Sequence, residues 1–214
     1  MTTLNVNTIT PAGDTLNLGE SGDSVVFADD VKVNTVKDAG NGYKYASFTS
    51  TGAGTWTCPT GVTSVEILIV AGGGGGGYEM GGGGGAGGVV YDTSYTVVPG
   101  VEYDLSVGAG GAGGTSNATA PSGTNSVWNV NAEGSGSTFT AIGGGGGSSR
   151  TNYPGADGGS GGGGGSGVDA GASTQQSAGT PTGGTVTAYG NAGGNGYHGP
   201  SDARMGGGGG GAPG

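Results

Sequence analysis

The stretch VEILIVAGGGGGG, residues 65–77, joins two segments of opposite character. Residues 65–71 are apolar at every position but one and rich in β-branched side chains, which is typical of a strand. Residues 72–77 are all glycine, the residue that loses most conformational freedom on folding. These glycines form either a flexible linker or a packed structure that only a residue without a Cβ atom allows. The choice between the two decides the fold.

Glycine tracts follow most of the apolar runs in this chain, in which 60 of 214 residues are glycine. The tracts hold little of the Ser, Glu or Lys that solvates a true linker, so we expect packed polyglycine II rods with three residues per turn and a rise of ~3.1 Å per residue. Six glycines then span about 19 Å, close to the ~20 Å of a six-residue strand. Collagen is excluded because the glycines cluster and do not recur at every third residue. The tracts predicted to form ordered rods are residues 72–77, 81–85, 143–147, 161–165 and 206–211.

Short strands and turns surround these tracts, and no helical periodicity is present. Turns are predicted at the Pro59-Thr60-Gly61 and Pro99-Gly100 segments. Trp56, Tyr95 and Tyr103 fall on predicted strands and are assigned to the core. The sequence therefore predicts an all-β fold, with a short N-terminal β module followed by a β-sandwich-like domain that contains packed polyglycine II rods. The predicted strands cover residues 45–49, 55–58, 62–71, 94–98, 101–107, 138–143 and 185–190.

Residues 1–42 differ from the rest of the chain because they contain few glycines and several short alternating runs. These runs are too short and too sparse to bury a core alone, so we expect them to form an attachment and oligomerisation module. The prediction is a homo-oligomer, with a trimer favoured. Residues 43–214 form the glycine-rich domain. Leu, Ile, Val and Phe make up only about one residue in seven, so a conventional side-chain core of ordinary size is not expected.

The formal net charge of −10 argues against binding to nucleic acid or anionic lipid, both of which would repel the chain. The longest apolar run is far too short to span a bilayer, and the N-terminus lacks a signal-peptide pattern. We therefore expect synthesis in a cytoplasm, with action outside the cell after lysis. Cys58 is the only cysteine, which excludes an intrachain disulfide and a four-thiolate zinc site.

The motifs that could carry chemistry are weak. Residues 108–113 match the G-x-G-x-x-G dinucleotide pattern, but the segment after them cannot form the required helix. Residues 164–169 match the front of a calcium-binding repeat that occurs only once. His198 is the only histidine, and the carboxylates are spread singly along the chain. The sequence predicts no catalytic residue, no cofactor and no metal, and hence a protein that is not an enzyme.

Four residues between the glycine tracts are candidates for surface recognition: Tyr78, Tyr153, Tyr197 and His198. If the rods are aligned, these residues lie in loops at one tip. Exposed aromatic rings beside small polar residues are typical of surfaces that bind sugars or proteins. The alternative is that the rings cap the ends of the glycine lattice.

The segment GTWTCPTGVTSVEILIVA at residues 54–71, with the glycines after it and VVPG at residues 97–100, resembles the glycine-rich domain of tailed-bacteriophage virion proteins. The resemblance covers about residues 45–214. The opening LNVNTITP at residues 4–11 is similar to the N-terminal β modules of fibre proteins from marine phages. The resemblance implies a virion fibre, a trimer, and a polyglycine sandwich similar to that of phage tail-tip adhesins. Such domains close with an apolar strand after the last glycine run, so we expect that strand to come from a longer chain or from elsewhere.

These observations lead us to expect a structural protein at the virion surface, a tail or side fibre. Residues 1–42 would bind other virion proteins, and the glycine-rich domain would face a host-surface glycan or protein. Two alternatives stay open. One is a capsid decoration or head fibre protein. The other is a free polyglycine-rod ice-binding protein, against which the bulky residues Arg150, Tyr153, His198 and Arg204 argue.

Overall fold

The computed structural model describes residues 37–39, 42–150, 153–175, 185–199 and 204–211. The chain divides into two compact units between Ala46 and Ser47. In the first unit, strands β1 (Lys37–Asp38) and β2 (Lys44–Tyr45) form an antiparallel hairpin. The strand predicted over residues 45–49 is wrong beyond Tyr45, because the chain passes there from one unit to the next. The short strands predicted within residues 1–36 lie outside the described residues.

The second unit contains two antiparallel sheets that form a sandwich, as predicted. One sheet has the order β3-β6-β7-β8 and the other the order β4-β5-β9. A further two-stranded hairpin joins β10 to β11, and one short 3-10 turn covers Glu133–Ser135. The all-β fold class is therefore confirmed. The strands are β3 (Gly52–Thr57), β4 (Ser64–Val70), β5 (Val89–Thr96), β6 (Glu102–Val107), β7 (Ser126–Trp128), β8 (Phe139–Ala141), β9 (Val186–Tyr189), β10 (Tyr197–His198) and β11 (Arg204–Met205).

Both predicted proline-containing turns are present. Gly61 and Gly100 have φ angles of 81° and 80°, a conformation that favours glycine. The Val101 N–H donates to the Val98 carbonyl at 3.2 Å, with Pro99 and Gly100 between them. This arrangement is typical of a type II turn, and it leads the chain from β5 in one sheet to β6 in the other.

Aromatic side chains fill the space between the two sheets. Tyr103 stacks on Trp128 with ring centroids 5.5 Å apart and planes 11° apart. Tyr95 meets Phe139 edge to face at 5.2 Å. Trp56 lies 5.9 Å from Tyr103 and 5.8 Å from Trp128. The assignment of Trp56, Tyr95 and Tyr103 to the core is confirmed, and these rings supply much of the apolar burial of a core with few aliphatic residues.

The two buried tyrosine hydroxyls of this core have hydrogen-bond partners, whereas the buried Trp128 indole nitrogen has none among the described residues. The Tyr95 hydroxyl donates to the Ser137 carbonyl at 2.7 Å and accepts from the Asn129 side-chain amide at 2.9 Å. The Tyr103 hydroxyl accepts from the Val98 N–H at 2.9 Å. Burial raises the pKa of the Tyr95 phenol, although the hydrogen bond from Asn129 opposes this shift. The neutral phenol is therefore the form that the folded protein favours.

Extended glycine-rich segments, here called rods, continue from the strands. In rod 1 (71–77), the N–H groups of Ala71, Gly74 and Gly77 donate to rod 2 (82–88) at 2.8–3.1 Å. Those of Gly72 and Gly75 donate to rod 4 (120–125) at 3.0–3.1 Å. Each hydrogen-bond partner thus recurs at every third residue, as three residues per turn requires. The rods are, in chain order, rod 1 (71–77), rod 2 (82–88), rod 3 (108–114), rod 4 (120–125), rod 5 (142–148), rod 6 (154–158), rod 7 (160–165), rod 8 (168–174), rod 9 (190–196) and rod 10 (206–211).

The pattern of hydrogen bonds arranges the ten rods in three layers. Rods 3, 1, 2 and 10 form one outer layer, in that order, and rods 4, 5, 7 and 9 form the middle layer. Rods 6 and 8 form the opposite outer layer. Rod 7 bonds to rods 2, 5, 6, 8, 9 and 10, which is the full set of neighbours that a rod has in a hexagonal array. The residues of rods 5 and 7 are accordingly buried, apart from Ile142, which is half-buried.

Inside this lattice the rods lie so close together that only glycine fits. A Cβ atom at Gly74 would lie 2.1 Å from the Gly145 carbonyl oxygen, and one at Gly145 would lie 1.9 Å from that of Ala156. At Gly163 the Cβ atom would lie 2.2 Å from the Gly207 oxygen. Real Cβ atoms essentially never approach within 3.0 Å. The prediction that the glycine tracts pack as hydrogen-bonded rods is confirmed, and the linker interpretation is excluded for the described tracts.

Candidate functional site

Because successive rods run in opposite directions, the loops that follow the odd-numbered rods all lie at the same end of the lattice. The odd-numbered rods run parallel to one another, and the even-numbered rods run antiparallel to them. Rods 1, 3, 5 and 9 start from strands β4, β6, β8 and β9, so their far ends lie away from the sheets. We call this far end the rod tip. Its described residues are 78–81, 115–119, 149–150, 153, 166–167, 197–199 and 204–205.

Tyr78 follows rod 1 at the rod tip. Its N–H donates to the Ser149 hydroxyl at 2.9 Å, and that buried hydroxyl donates to the Ala118 carbonyl at 2.5 Å. The two residues after Tyr78, Glu79 and Met80, have φ angles of 32° and 47°, which are uncommon for residues other than glycine. The main chain of Tyr78 is therefore anchored to the lattice, while 39% of the residue remains exposed.

Tyr153 precedes rod 6 and is anchored in a similar way. Its carbonyl accepts a hydrogen bond from the buried Ser148 hydroxyl at the end of rod 5. The next residue, Pro154, accepts a hydrogen bond from the Thr119 hydroxyl at 3.0 Å. Tyr153 itself is 52% exposed. As at Tyr78, the backbone closes the end of a rod and the side chain faces solvent.

Tyr197 and His198 form strand β10, which lies between rods 9 and 10. In the β10–β11 hairpin, Tyr197 pairs with Met205 and His198 pairs with Arg204. A Cβ atom at Gly167, in the loop after rod 7, would lie 3.0 Å from the His198 Cβ atom. His198 therefore packs against the loop at the end of the most buried rod, and Tyr197 is 52% exposed.

The basic residues of the second unit lie at one of its ends. Arg150, Arg204 and His198 are the only basic residues in positions 47–214, and all three lie at the rod tip. Arg150 faces Glu79 at 3.6 Å, but both side chains are more than 40% exposed, so this ion pair contributes little stability. The sandwich end carries carboxylates on its strands and the adjoining turn, namely Glu66, Asp92, Glu102, Asp104 and Glu133.

The structure thus brings Tyr78, Tyr153, Tyr197 and His198 to the same end of the rods, where the sequence analysis expected them. Their use in recognition stays a prediction. The alternative was that the rings of these residues cap the ends of the glycine lattice. At Tyr78 and Tyr153 the backbone caps a rod end, and the side chains remain exposed. The exposed Met80 and Met205 and the two arginines also lie at this surface, although they were not predicted there from the sequence. The sequence feature that could have identified these four residues is their position beside or between glycine tracts.

The rod tip has the chemistry of a binding surface. It offers aromatic faces, thioethers and cationic hydrogen-bond donors on a scaffold held by backbone bonds. Among the described residues, no cluster of three or more His, Cys, Asp or Glu side chains could hold a metal ion. In the same part of the chain, no helix has the length and apolar character needed to cross a membrane.

A family model described as a glycine-rich domain matches residues 49–214, which include the sandwich and all ten rods. No curated protein and no solved structure matches the chain.

Proposed function

The chain belongs to the glycine-rich domain family, and on this premise we propose that it is a non-enzymatic structural protein of a tailed-bacteriophage virion, a tail or side fibre. In this proposal the rod tip faces outward from the virion surface and contacts the host. Residues 1–42 bind other virion proteins and further copies of the chain, with a trimer favoured. The phage setting is supported by the sequence resemblance of residues 45–214 to virion proteins.

The observation that carries this proposal is the concentration of exposed tyrosines at one end of a rigid scaffold. Tyr78, Tyr153 and Tyr197 are 39–52% exposed. Hydrogen bonds to serines at the end of rod 5 hold the backbones of Tyr78 and Tyr153, and pairing with Met205 holds that of Tyr197. Tyrosine supplies a large contact area at a small cost in side-chain entropy. Recognition residues are commonly held on loops that a rigid scaffold positions. The rod tip has this organisation.

The chemistry of the tip favours a host-surface glycan or protein as the partner. A tyrosine ring stacks against the apolar face of a sugar or packs into an apolar pocket of a protein. Arg150, Arg204 and His198 carry side-chain N–H donors for hydroxyl, carboxylate or carbonyl groups nearby. The net charge of −10 opposes nucleic acid as a partner.

The test uses the full chain with Tyr78→Ala, Tyr153→Ala and Tyr197→Ala combined, and measures binding of the labelled protein to cells of the source host. We expect at least a tenfold loss of binding, the effect of removing about 1.4 kcal/mol of contact energy. Tyr43→Ala with Tyr45→Ala, exposed residues of the first unit, is the matched control and should bind normally. Full binding by the triple variant, with an unchanged melting temperature, would contradict the role of the tip.

The second candidate is a capsid decoration or head fibre protein, which would use the same tip from a different mounting site. Immunogold electron microscopy of particles from the source culture, with antibodies against the purified chain, separates the two. Label at the tail supports the proposal, and label over the head supports the alternative. Particles that carry no label at either place would contradict both.

A further inference from the structure

One outer layer of the lattice, rods 3, 1, 2 and 10, contains only glycine and alanine. Several of its glycines have room for a side chain, unlike those inside the lattice. At these positions a Cβ atom would meet no heavy atom closer than 3.5 Å. They are Gly73, Gly76, Gly110, Gly113, Gly208 and Gly211. Gly194 of rod 9 has the same property and borders Gly208 at the edge of this layer. We call the solvent side of rods 3, 1, 2 and 10 the bare face.

The opposite outer layer is built differently. Its glycines are confined to sites without room, since a Cβ atom at Gly155, Gly158 or Gly171 would lie within 2.2 Å of a backbone atom. Elsewhere rods 6 and 8 carry larger residues, such as Asp157 and Val168. In both outer layers, glycine thus occupies the inner positions that have no room for a Cβ atom. The layers differ on their outer sides, because the bare face has glycine where a side chain would fit. Packing inside the molecule does not account for the glycines of the bare face.

Glycine at a position where a side chain fits weakens the fold, because the unfolded chain gains conformational freedom. Its usual purpose at such positions is the close approach of another group to the backbone. Because a rod has three residues per turn, its N–H groups point in three directions. In rods 1 and 2, the N–H groups in two of these directions donate to neighbouring rods. Within the described part of the chain, the N–H groups of Gly73, Gly76 and Gly84 have no hydrogen-bond partner. By the three-residue repeat, these groups point out of the bare face.

From this we propose that the bare face packs against the bare face of a second copy of the chain. The inner side of the same layer already packs on other rods through backbone hydrogen bonds that repeat every three residues. The bare face of a second copy has the same repeat, and its backbone offers both N–H donors and C=O acceptors. The bare face also contains no charged side chain, so the copies avoid like-charge contact despite a net charge of −10 each. The inference does not rest on the proposed virion function.

The bare face is four rods wide and about 19–22 Å long, since its rods hold six or seven residues with a rise of ~3.1 Å per residue. Such an interface is at the small end of the range for specific complexes, so we expect weak, concentration-dependent association. Copies held together through another part of the chain would strengthen it by raising the effective concentration.

The test uses the full chain and two kinds of variant. Cys58 is buried, so an introduced cysteine is the accessible thiol in the described part of the chain. Gly76→Cys on rod 1 of the bare face should form covalent pairs under mild oxidation at least tenfold faster than Ala172→Cys on rod 8, an exposed residue of the opposite layer. Gly76→Arg with Gly113→Arg should abolish the concentration-dependent increase in sedimentation coefficient, and Ala172→Arg should leave it unchanged. Melting temperatures of all variants verify folding.

Equal oxidation rates for the two cysteine variants would overturn the proposal, as would sedimentation that the double arginine variant does not change. Inhibition of ice recrystallisation by the parent chain, lost in the double arginine variant while sedimentation stays unchanged, would also overturn it and assign the bare face to ice.

Discussion

The sandwich and the rod lattice are built from consecutive segments of one chain, yet they are stabilised in different ways. Between the sheets, side chains such as Tyr103 and Trp128 fill the space and bury apolar surface. Between the rods few side chains intervene, and each rod contacts its neighbours mainly through N–H···O=C bonds of 2.7–3.2 Å. The first region depends on the hydrophobic effect and the second on backbone bonding with close contact of Cα atoms.

This difference determines which substitutions each region tolerates. A side-chain core loses stability when atoms are removed, because a cavity remains. The rod lattice has almost no side-chain atoms to remove and fails when atoms are added, because the next backbone lies within 2 Å of a new Cβ atom at many positions. The two regions should therefore respond in opposite ways to enlarging and to truncating substitutions.

The largest effect is expected for Gly163→Val in the most buried rod. Valine there would overlap the Gly207 carbonyl and separate rods 7 and 10. We expect a loss of more than about 4 kcal/mol in the free energy of unfolding, or no soluble protein. Urea denaturation followed by circular dichroism measures it, with Gly208→Val, which meets no atom within 4 Å, as the matched control. A variant as stable as this control would show that the lattice is loose.

The matching truncation in the sandwich is Phe139→Ala. Phe139 is fully buried against Tyr95, so its removal should leave a cavity and cost about 3–5 kcal/mol. Leu68→Ala, at a strand residue that is 66% exposed, should change stability by less than about 0.5 kcal/mol. Both values come from the same urea titration. Equal costs at the two sites would contradict the assignment of the aromatic cluster as the core.

A smaller effect is expected from alkaline pH, and it should originate in the sandwich. Burial raises the pKa of both the Tyr95 phenol and the Cys58 thiol, so the folded state favours their protonated forms. Their contribution to stability is complete below the unfolded-state pKa values, roughly 8.5 for the thiol and roughly 10 for the phenol, and is lost as pH rises through the folded-state pKa values. Melting temperature should therefore fall above about pH 9. Tyr95→Phe should make the fall less steep, and an unchanged slope would exclude Tyr95 as a cause.

The sequence predicted the rods because strand and glycine tract recur in order, and it predicted the core rings because Trp56, Tyr95 and Tyr103 lie on strands. It did not predict β7, whose three residues are too few for an alternating pattern. Nor could it give the order of the rods. Glycines offer no side-chain pattern that distinguishes one neighbour from another, so the order follows only from the complete set of backbone bonds.

The rod tip was predictable from the sequence only in part. The loops between tracts were visible in the sequence, and aligned rods place alternate loops at one end. The gathering of Arg150 and Arg204 beside these tyrosines depends on the direction of every rod, which no local pattern specifies. The bare face was not predictable either, since a glycine with room for a side chain and one without it are identical in the sequence.

The most direct test of the central claim compares Gly74→Ala with Gly76→Ala, two residues apart on rod 1. At Gly74 the new methyl group would lie 2.1 Å from the Gly145 carbonyl oxygen, whereas at Gly76 it would meet nothing within 4 Å. Thermal and urea denaturation of both variants beside the parent chain give the result. If the rods are held by direct backbone contact, Gly74→Ala should cost at least about 2 kcal/mol, while Gly76→Ala should be neutral or stabilising by up to about 1 kcal/mol. Equal stability of the two variants would contradict the packed-rod structure.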